Sequence, residues 1–314
     1  IANWGEDLLV VNSSDGRLLF VDATSPTDQL RAVGTYDIVS TTRATNVTTV
    51  VTDQRHNLTD GRSVEIAGVT GTGFNTASAS VTVVDGFTFT YTNTGTDGSG
   101  SGGIVTDNTI PTGNRAVLVT PERHALILQP DGEPFRVGWC SREDFYDHVY
   151  SSDTNTAGYL DLRSDTPLFQ MCSVREGTLI WSESNVFLMR YVGLPFIYGY
   201  DDLGGSSLYA PQTFAEFDGR CVWMDLQHFK LYDGGSVRPI ECPLADYIFS
   251  DIDRDTISII DCYFKSTSCI AEAIDKHLKA DVVRARPSAS ILRNEPSNYI
   301  LVVRGIERAL CGII

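Results

Sequence analysis

Two stretches decide the fold: GTLIWSESNVFLMRY at residues 177–191 and GRCVWMDLQHFKLYD at residues 219–233. Trp181 and Trp223 stand four residues after the opening Gly of their stretch, and a Phe stands ten residues after it. Two apolar runs separated by polar residues predict a β-hairpin. A hairpin that recurs at about 40–50 residues is typical of β-propeller blades, which bury their apolar faces only against neighbouring blades.

Two further hairpins are predicted at residues 8–22 and 125–139, where Asp-Gly separates apolar runs. The four hairpins start at residues 8, 125, 179 and 221, so the intervals are 117, 54 and 42 residues. The first interval is too long for one blade. Residues 46–105 account for the excess, because they are rich in Thr, Gly, Asn, Ser and Val and contain several short strand patterns. We interpret them as a small β-sandwich inserted in a loop, with GTDGSGSGG at 95–103 as a flexible loop.

The sequence therefore predicts an all-β protein with a propeller-like body of repeated hairpins and a passenger domain. Residues 268–286 have apolar residues at helical spacing, which predicts a short helix before Pro287. The alternative is an aberrant end, since the blade pattern stops there. Ile1 is not a start residue, so we expect a piece of a longer protein. The predicted divisions are 1–45 (body, first part), 46–105 (inserted sandwich), 106–260 (body, second part) and 261–314 (uncertain segment).

Charge is unevenly distributed along the chain. The net charge is −16, whereas residues 261–314 carry six acidic and eight basic side chains. The rest of the chain is therefore strongly acidic and unsuited to neutralising phosphates, which requires Lys and Arg. A negative wall would instead let a DNA duplex pass without sticking; simple solubility is the alternative. The sequence has no run of 18 apolar residues, so it predicts no membrane-spanning helix.

The seven cysteines include no C-x-x-C pair, and none precedes Cys140. This pattern argues against a zinc ribbon or a disulfide framework and predicts buried free thiols. Asp251, Asp253 and Asp255 have the spacing of a calcium loop, but Thr and Cys stand where Gly and a carboxylate are needed. We interpret this run as an acidic helix start capped by Asp255 or Ser250.

Two other groups of residues suggest chemistry. Asp144, Asp147 and His148 would suit acid–base catalysis, but no nucleophile motif accompanies them, so we expect surface loop residues. The aromatic stretch 187–200, which includes Phe196, would suit a carbohydrate platform. We favour the alternative that this stretch contributes to the core of a blade and to a contact between subunits. We therefore assign no catalytic, cofactor-binding or metal-ligating residue and expect no enzyme and no cofactor.

Four segments together resemble the tail nozzle proteins of short-tailed bacteriophages, also called tail tubular protein B. They are the opening NWGEDLLVVNSSDGRLLFVD, PFRVGWCSREDF (134–145), GTLIWSESNVFLMRYVGLPFIYGY (177–200) and CPLADYIFSDIDRDTIS (242–258). The match covers roughly residues 1–41 and 110–258, and its specificity lies in order and spacing. The insertion resembles small Ig-like modules found in phage structural proteins, and residues 261–314 depart from the family pattern.

The resemblance implies a structural subunit of a virion tail, made in the host cytoplasm. It implies a homo-oligomer, a six-fold ring below the tail adaptor protein, with tail fibres or spikes as further partners. The ring would form the distal channel for viral DNA, hold the genome and release it without sequence-specific binding. Two rival hypotheses stay open. One is a receptor- or glycan-binding propeller. The other is a glycan hydrolase or lyase with carboxylates about 5–9 Å apart.

Overall fold

The computed structural model describes residues 1–22, 30–150, 154–243 and 245–251 of the chain. Two compact units divide the chain, residues 1–161 and 162–314, so the predicted second part of the body, 106–260, is split between them. The regular secondary structure of the described residues is nearly all antiparallel β-strand, which confirms the predicted all-β class. The possible C-terminal helix and the segment 261–314 lie outside the described residues.

The first unit opens with a four-stranded antiparallel meander, the strand arrangement of a propeller blade. The predicted hairpin at residues 8–22 forms its centre, and Gly16 in the turn has a φ of 68°, which suits glycine. The strands, in order across the sheet, are β1 (Ala2–Trp4), β2 (Asp7–Val11), β3 (Leu18–Val21) and β4 (Arg31–Ala32).

A closed six-stranded barrel follows. Inward residues alternate with outward ones, and the core holds Ile38, Val50, Val64 and Phe89 among others. The barrel runs in the order β5-β11-β7-β8-β9-β6 and closes through β5–β6 pairing, with β10 added on β5. Its strands are β5 (Thr35–Ala44), β6 (Val47–Thr52), β7 (Ser63–Ala67), β8 (Thr76–Val83), β9 (Thr88–Thr92), β10 (Gly98–Gly100) and β11 (Ile104–Asp107).

The barrel refines three expectations. It begins at Thr35, before the predicted boundary at residue 46, because β5 belongs to it. The predicted sandwich is closed, because β5 pairs first with β11 and then with β6, while β8 pairs first with β7 and then with β9. The glycine tract is not simply a flexible loop, since Gly98–Gly100 is a strand on β5. Gly100 is needed there because an added Cβ would stand 2.3 Å from the Thr70 carbonyl oxygen.

A second meander completes the first unit and contains the predicted hairpin at residues 125–139. It shares one core with the first meander, built from residues that include Trp4, Leu9, Ile127 and Phe145. All four residues of its second strand are buried, since that strand is covered on both faces. The strands are β12 (Ala116–Val119), β13 (Ala125–Leu128), β14 (Arg136–Trp139) and β15 (Gly158–Asp161).

The second unit contains two more four-stranded meanders, each centred on one of the Trp-marked hairpins. Trp181 and Trp223 pack edge to face with ring centroids 5.5 Å apart, which joins the two sheets in one core. Phe187 and Phe229 are fully buried. The strands are β16 (Leu168–Val174), β17 (Gly177–Ser182), β18 (Asn185–Gly193) and β19 (Ile197–Gly205), then β20 (Phe214–Phe217), β21 (Arg220–Met224), β22 (Phe229–Tyr232) and β23 (Val237–Ile240).

A short helix, α1 (Ala245–Asp251), follows the last strand. Ser250 lies in its last turn and not at its start, so it does not cap this helix. Asp253 and Asp255 lie outside the described residues. Ile248 of the helix is buried against Met224 and other residues of the last meander.

Candidate interaction sites

Arg62 fastens the barrel to the loop that follows β14. Its side chain is only 4 % exposed, and its Nη1 lies 3.2 Å from Oδ2 of Asp107 at the end of β11. The same nitrogen donates to Oγ1 of Thr109 at 3.0 Å and to the carbonyl oxygen of Tyr146 at 2.8 Å. Nη2 reaches Oδ1 of Asp147 at 3.5 Å. A buried guanidinium is thus neutralised by two carboxylates from different parts of the first unit.

The group predicted as surface residues with acid–base potential is arranged differently. Asp147 binds Arg62 and accepts from the Asn155 amide at 2.8 Å. His148 is buried, because Phe145 and Tyr150 surround it, and its Nε2 lies 3.1 Å from the Phe145 carbonyl oxygen. Burial lowers the pKa of His148 to about 4. The imidazole is therefore a neutral core group, and the expectation of a surface residue was wrong for it.

A cleft of about 520 Å³ lies between the barrel and the same loop. The barrel supplies most of the lining, and the loop contributes the half-buried ring of Tyr146 and two exposed carboxylates. The lining is therefore mainly polar and includes one aromatic ring. The lining residues are Arg55, His56, Asn57, Leu58, Val83, Asp85, Gly86, Glu143, Asp144 and Tyr146.

His56 lines the cleft as a buried imidazole. The Leu58 backbone N–H donates to Nδ1 at 3.4 Å, so the proton of the neutral ring lies on Nε2. Burial lowers the pKa of His56, which keeps the ring neutral at pH 7. Nε2 is buried without a hydrogen-bond partner among the described residues. Asp85 is a permanent acceptor, because the Phe87 backbone N–H lowers its pKa.

One end of the sheet β16–β19 carries exposed carboxylates. Asp165 precedes β16, Glu183 lies in the β17–β18 turn, and Asp202 lies near the end of β19. Hydrogen bonds bring these segments together: Oγ1 of Thr166 lies 3.3 Å from Oγ of Ser184, and the Asn185 amide donates to both Asp202 oxygens. We call Asp165, Glu183 and Asp202 the acidic end.

Six of the described basic side chains that reach solvent are paired with carboxylates. Lys230 is the one lysine in residues 1–251, and its Nζ lies 2.5 Å from Oδ2 of Asp225. Arg136 binds Asp161 through two parallel hydrogen bonds. Each pair offsets a positive charge that could otherwise contact a phosphate. Further pairs are Arg17–Asp15, Arg175–Asp218, Arg190–Asp201 and Arg238–Asp233.

The aromatic stretch 187–200 has two parts. Phe187 and Tyr198 are buried, which agrees with the predicted core role. Tyr191, Leu194 and Phe196 are exposed at the β18–β19 hairpin. The sequence pattern did not separate these two parts.

The described cysteines are free thiols. This confirms the predicted buried free thiols for Cys140, Cys172 and Cys221, whereas Cys242 is half-buried. The first three are buried, and burial raises the pKa of Cys140 to about 12. The Sγ atoms of Cys172 and Cys221 lie 3.3 Å apart in the core that joins the two sheets of the second unit. Residues 262, 269 and 311, the other cysteines, lie outside the described residues.

Within the described ranges, no group of three or more His, Cys, Asp or Glu is arranged to hold a metal ion. The described part of the chain also contains no helix that is long and apolar enough to cross a membrane.

No protein-family model and no curated protein matches the chain. Two solved structures resemble parts of it. The phage phi92 endosialidase has 13% identity and a TM-score of 0.25, over 69% of this chain and 40% of that one. The extracellular domain of a one-component system from B. thetaiotaomicron has 10% identity and a TM-score of 0.28, over 76% of this chain and 35% of that one. The chain spans less than half of either protein, and both TM-scores are below 0.5.

Proposed function

We propose that this chain is a structural subunit of the tail nozzle of a short-tailed bacteriophage. The observation that carries the proposal is the coincidence of sequence resemblance with repeated blade-like sheets. The matching segments fall on β1–β3, on β14, on β17–β19 and on the start of α1, while the barrel interrupts them as an insertion. Each meander is packed against another in its own unit, as a ring of blades requires.

The acidic surface supports the same function. A channel for DNA must not bind phosphates. Residues 1–260 carry 34 acidic and 16 basic side chains, and the acidic end is exposed. The proposal includes no catalysis. A general acid at neutral pH needs a raised pKa, whereas the pKa of Asp85, a carboxylate of the cleft, is lowered.

The first experiment is a mass measurement of the full-length protein in solution. A nozzle ring should have six times the subunit mass, which is 34.4 kDa for this chain. A stable monomer at micromolar concentration, with native β-structure by circular dichroism, would contradict the proposal.

A charge reversal tests the channel role. Asp165→Lys with Glu183→Lys removes no hydrogen bond recorded for either side chain, yet makes the acidic end basic. Asp37→Lys with Glu65→Lys gives the barrel the same charge change at two exposed strand positions. We expect slower DNA ejection from particles with the first pair only, and the effect should shrink as salt rises. Equal ejection rates for both variants would contradict a role of the acidic end in the DNA channel.

The cleft favours a second candidate function, recognition of a hydroxyl-rich ligand such as a surface glycan by the barrel. The carbonyl oxygen of Gly34 accepts from the Asp107 backbone N–H at 2.8 Å, so the two ends of the barrel are adjacent. Deleting residues 35–107 and joining the ends with a short linker tests it. Lost adsorption with intact particles supports recognition, whereas lost assembly assigns the barrel a structural role.

A further inference from the structure

The β18–β19 hairpin ends in an exposed apolar tip. Gly193 and Ile197 are the last paired residues, and the turn between them continues as Leu194-Pro195-Phe196. Leu194 is 78% exposed and Phe196 is 76% exposed, the largest values among the large apolar side chains of the described residues. Val192 beside them is 57% exposed. We call Val192, Leu194 and Phe196 the hairpin tip.

The side chains behind the hairpin tip are ordered by polarity. The rings of Tyr191 and Tyr198 pack edge to face, with centroids 5.7 Å apart, directly behind the turn. Arg190 lies one residue further back on β18, and Asp201 lies three residues further back on β19. Nη1 of Arg190 is 3.3 Å from Oδ2 of Asp201. No charged residue occurs from 191 to 200. At about 3.3 Å per strand residue, the first charges therefore lie roughly 10 Å behind the turn.

This order matches the depth profile of a lipid interface. Aliphatic and Phe side chains occupy the acyl boundary, Tyr rings prefer the headgroup level, and charges stay in water. Interfacial segments bury their apolar side about 5–10 Å deep, which is the length of hairpin that lacks charge here. A protein partner would need no such gradient along the strands.

We propose that the hairpin tip inserts into the outer boundary of a lipid bilayer. Its partner is a neutral or zwitterionic lipid surface, because the chain has a net charge of −16 and anionic headgroups would repel it. Three side chains give weak, reversible attachment for one copy, and several copies in one assembly strengthen it by avidity. The inference rests on the hairpin alone and not on the proposed nozzle function.

Vesicle flotation tests this inference with the full-length protein and phosphatidylcholine vesicles. The variant Val192→Ser, Leu194→Ser, Phe196→Ser changes only exposed side chains, so the fold should persist. The matched control is Val84→Ser with Phe87→Ser, at the exposed β8–β9 turn of the barrel. We expect the wild type and the control to float with the vesicles. The hairpin variant should lose at least about tenfold in vesicle affinity, because it removes apolar area that would be buried in the lipid.

A second measurement reports insertion directly. In the variant Phe196→Trp, the emission added by the new tryptophan, measured against the wild type with its four tryptophans, should shift to the blue when vesicles are present. Brominated acyl chains should quench that added emission. Absence of vesicle binding by the wild type overturns the proposal, as does an equal loss in the control variant. If the hairpin variant instead dissociates an oligomer and the wild type ignores vesicles, a second copy of the chain covers the tip and the proposal is wrong.

Discussion

Replacing Arg62 by Met tests whether a buried ion pair holds the barrel in place. Methionine keeps much of the side-chain length but leaves Asp107, 3% exposed, without its cation. Breaking a buried ion pair from one side costs about 3–5 kcal/mol. In a unit of this size such a loss lowers the Tm by roughly 10 °C. Urea unfolding followed by tryptophan fluorescence measures it without adding salt.

Arg175→Met is the matched control, because Arg175 and Asp218 are also 3.3 Å apart but 65% and 76% exposed. An exposed pair contributes less than about 1 kcal/mol. The double variant Arg62→Met, Asp107→Asn removes the guanidinium and the more buried of its two carboxylates, and should recover at least half of the loss. Equal effects of Arg62→Met and Arg175→Met, or no recovery in the double variant, would refute the reasoning.

The stability loss in the single variant Arg62→Met should depend on pH. Burial already raises the pKa of Asp107, while Thr109 and Arg62 oppose the shift. Without Arg62 the pKa of Asp107 rises further, so the folded state binds a proton more tightly than the unfolded state. The penalty is then full at neutral pH and shrinks as the pH falls through the raised pKa. We expect a smaller difference from wild type at pH 5 than at pH 7.

Two further outcomes follow from close packing. Gly100→Ala should destabilise the barrel by about 1–3 kcal/mol, because the new Cβ meets the Thr70 carbonyl oxygen. Gly98→Ala, whose new Cβ would have no atom within 4 Å, should be neutral, and urea unfolding measures both variants. The thiols of Cys140 and Cys172 should resist maleimide until the protein unfolds, since burial raises both pKa values; peptide mapping that finds either labelled in the folded protein contradicts this.

The four hairpins could be predicted because their signals are local. Turn residues such as Gly16 and two flanking apolar runs lie within about fifteen residues of sequence, and central strands buried on both faces appear as continuous apolar runs. Residues 35–45 were misassigned because β5 alternates like any half-buried strand. The glycine tract gave no strand signal, since β10 contributes backbone hydrogen bonds but hardly any side chains.

The interaction sites could not be predicted from sequence. The acidic partners of Arg62 are 45 and 85 residues away along the chain, so no motif announces the cluster. The cleft depends on the approach of a barrel segment around His56 to the loop that contains Tyr146. For His148 a signal existed, since it stands in the aromatic run DFYDHVY, which suits a buried position better than a surface loop.

The way the barrel is attached bears on what it does. Adjacent ends at Gly34 and Asp107 would by themselves allow a hinge, because only two chain segments cross there. Arg62 adds a third attachment, through Tyr146 and Asp147, on the loop that also forms the cleft. A buried ion pair contributes little net stability against an apolar alternative, so its more useful effect is to fix one orientation. A barrel that only filled space would not need a fixed orientation. The cleft between barrel and loop, in contrast, exists only when the barrel is held in that orientation. Ligand recognition at the cleft should therefore be lost in Arg62→Met even under conditions where the variant is folded.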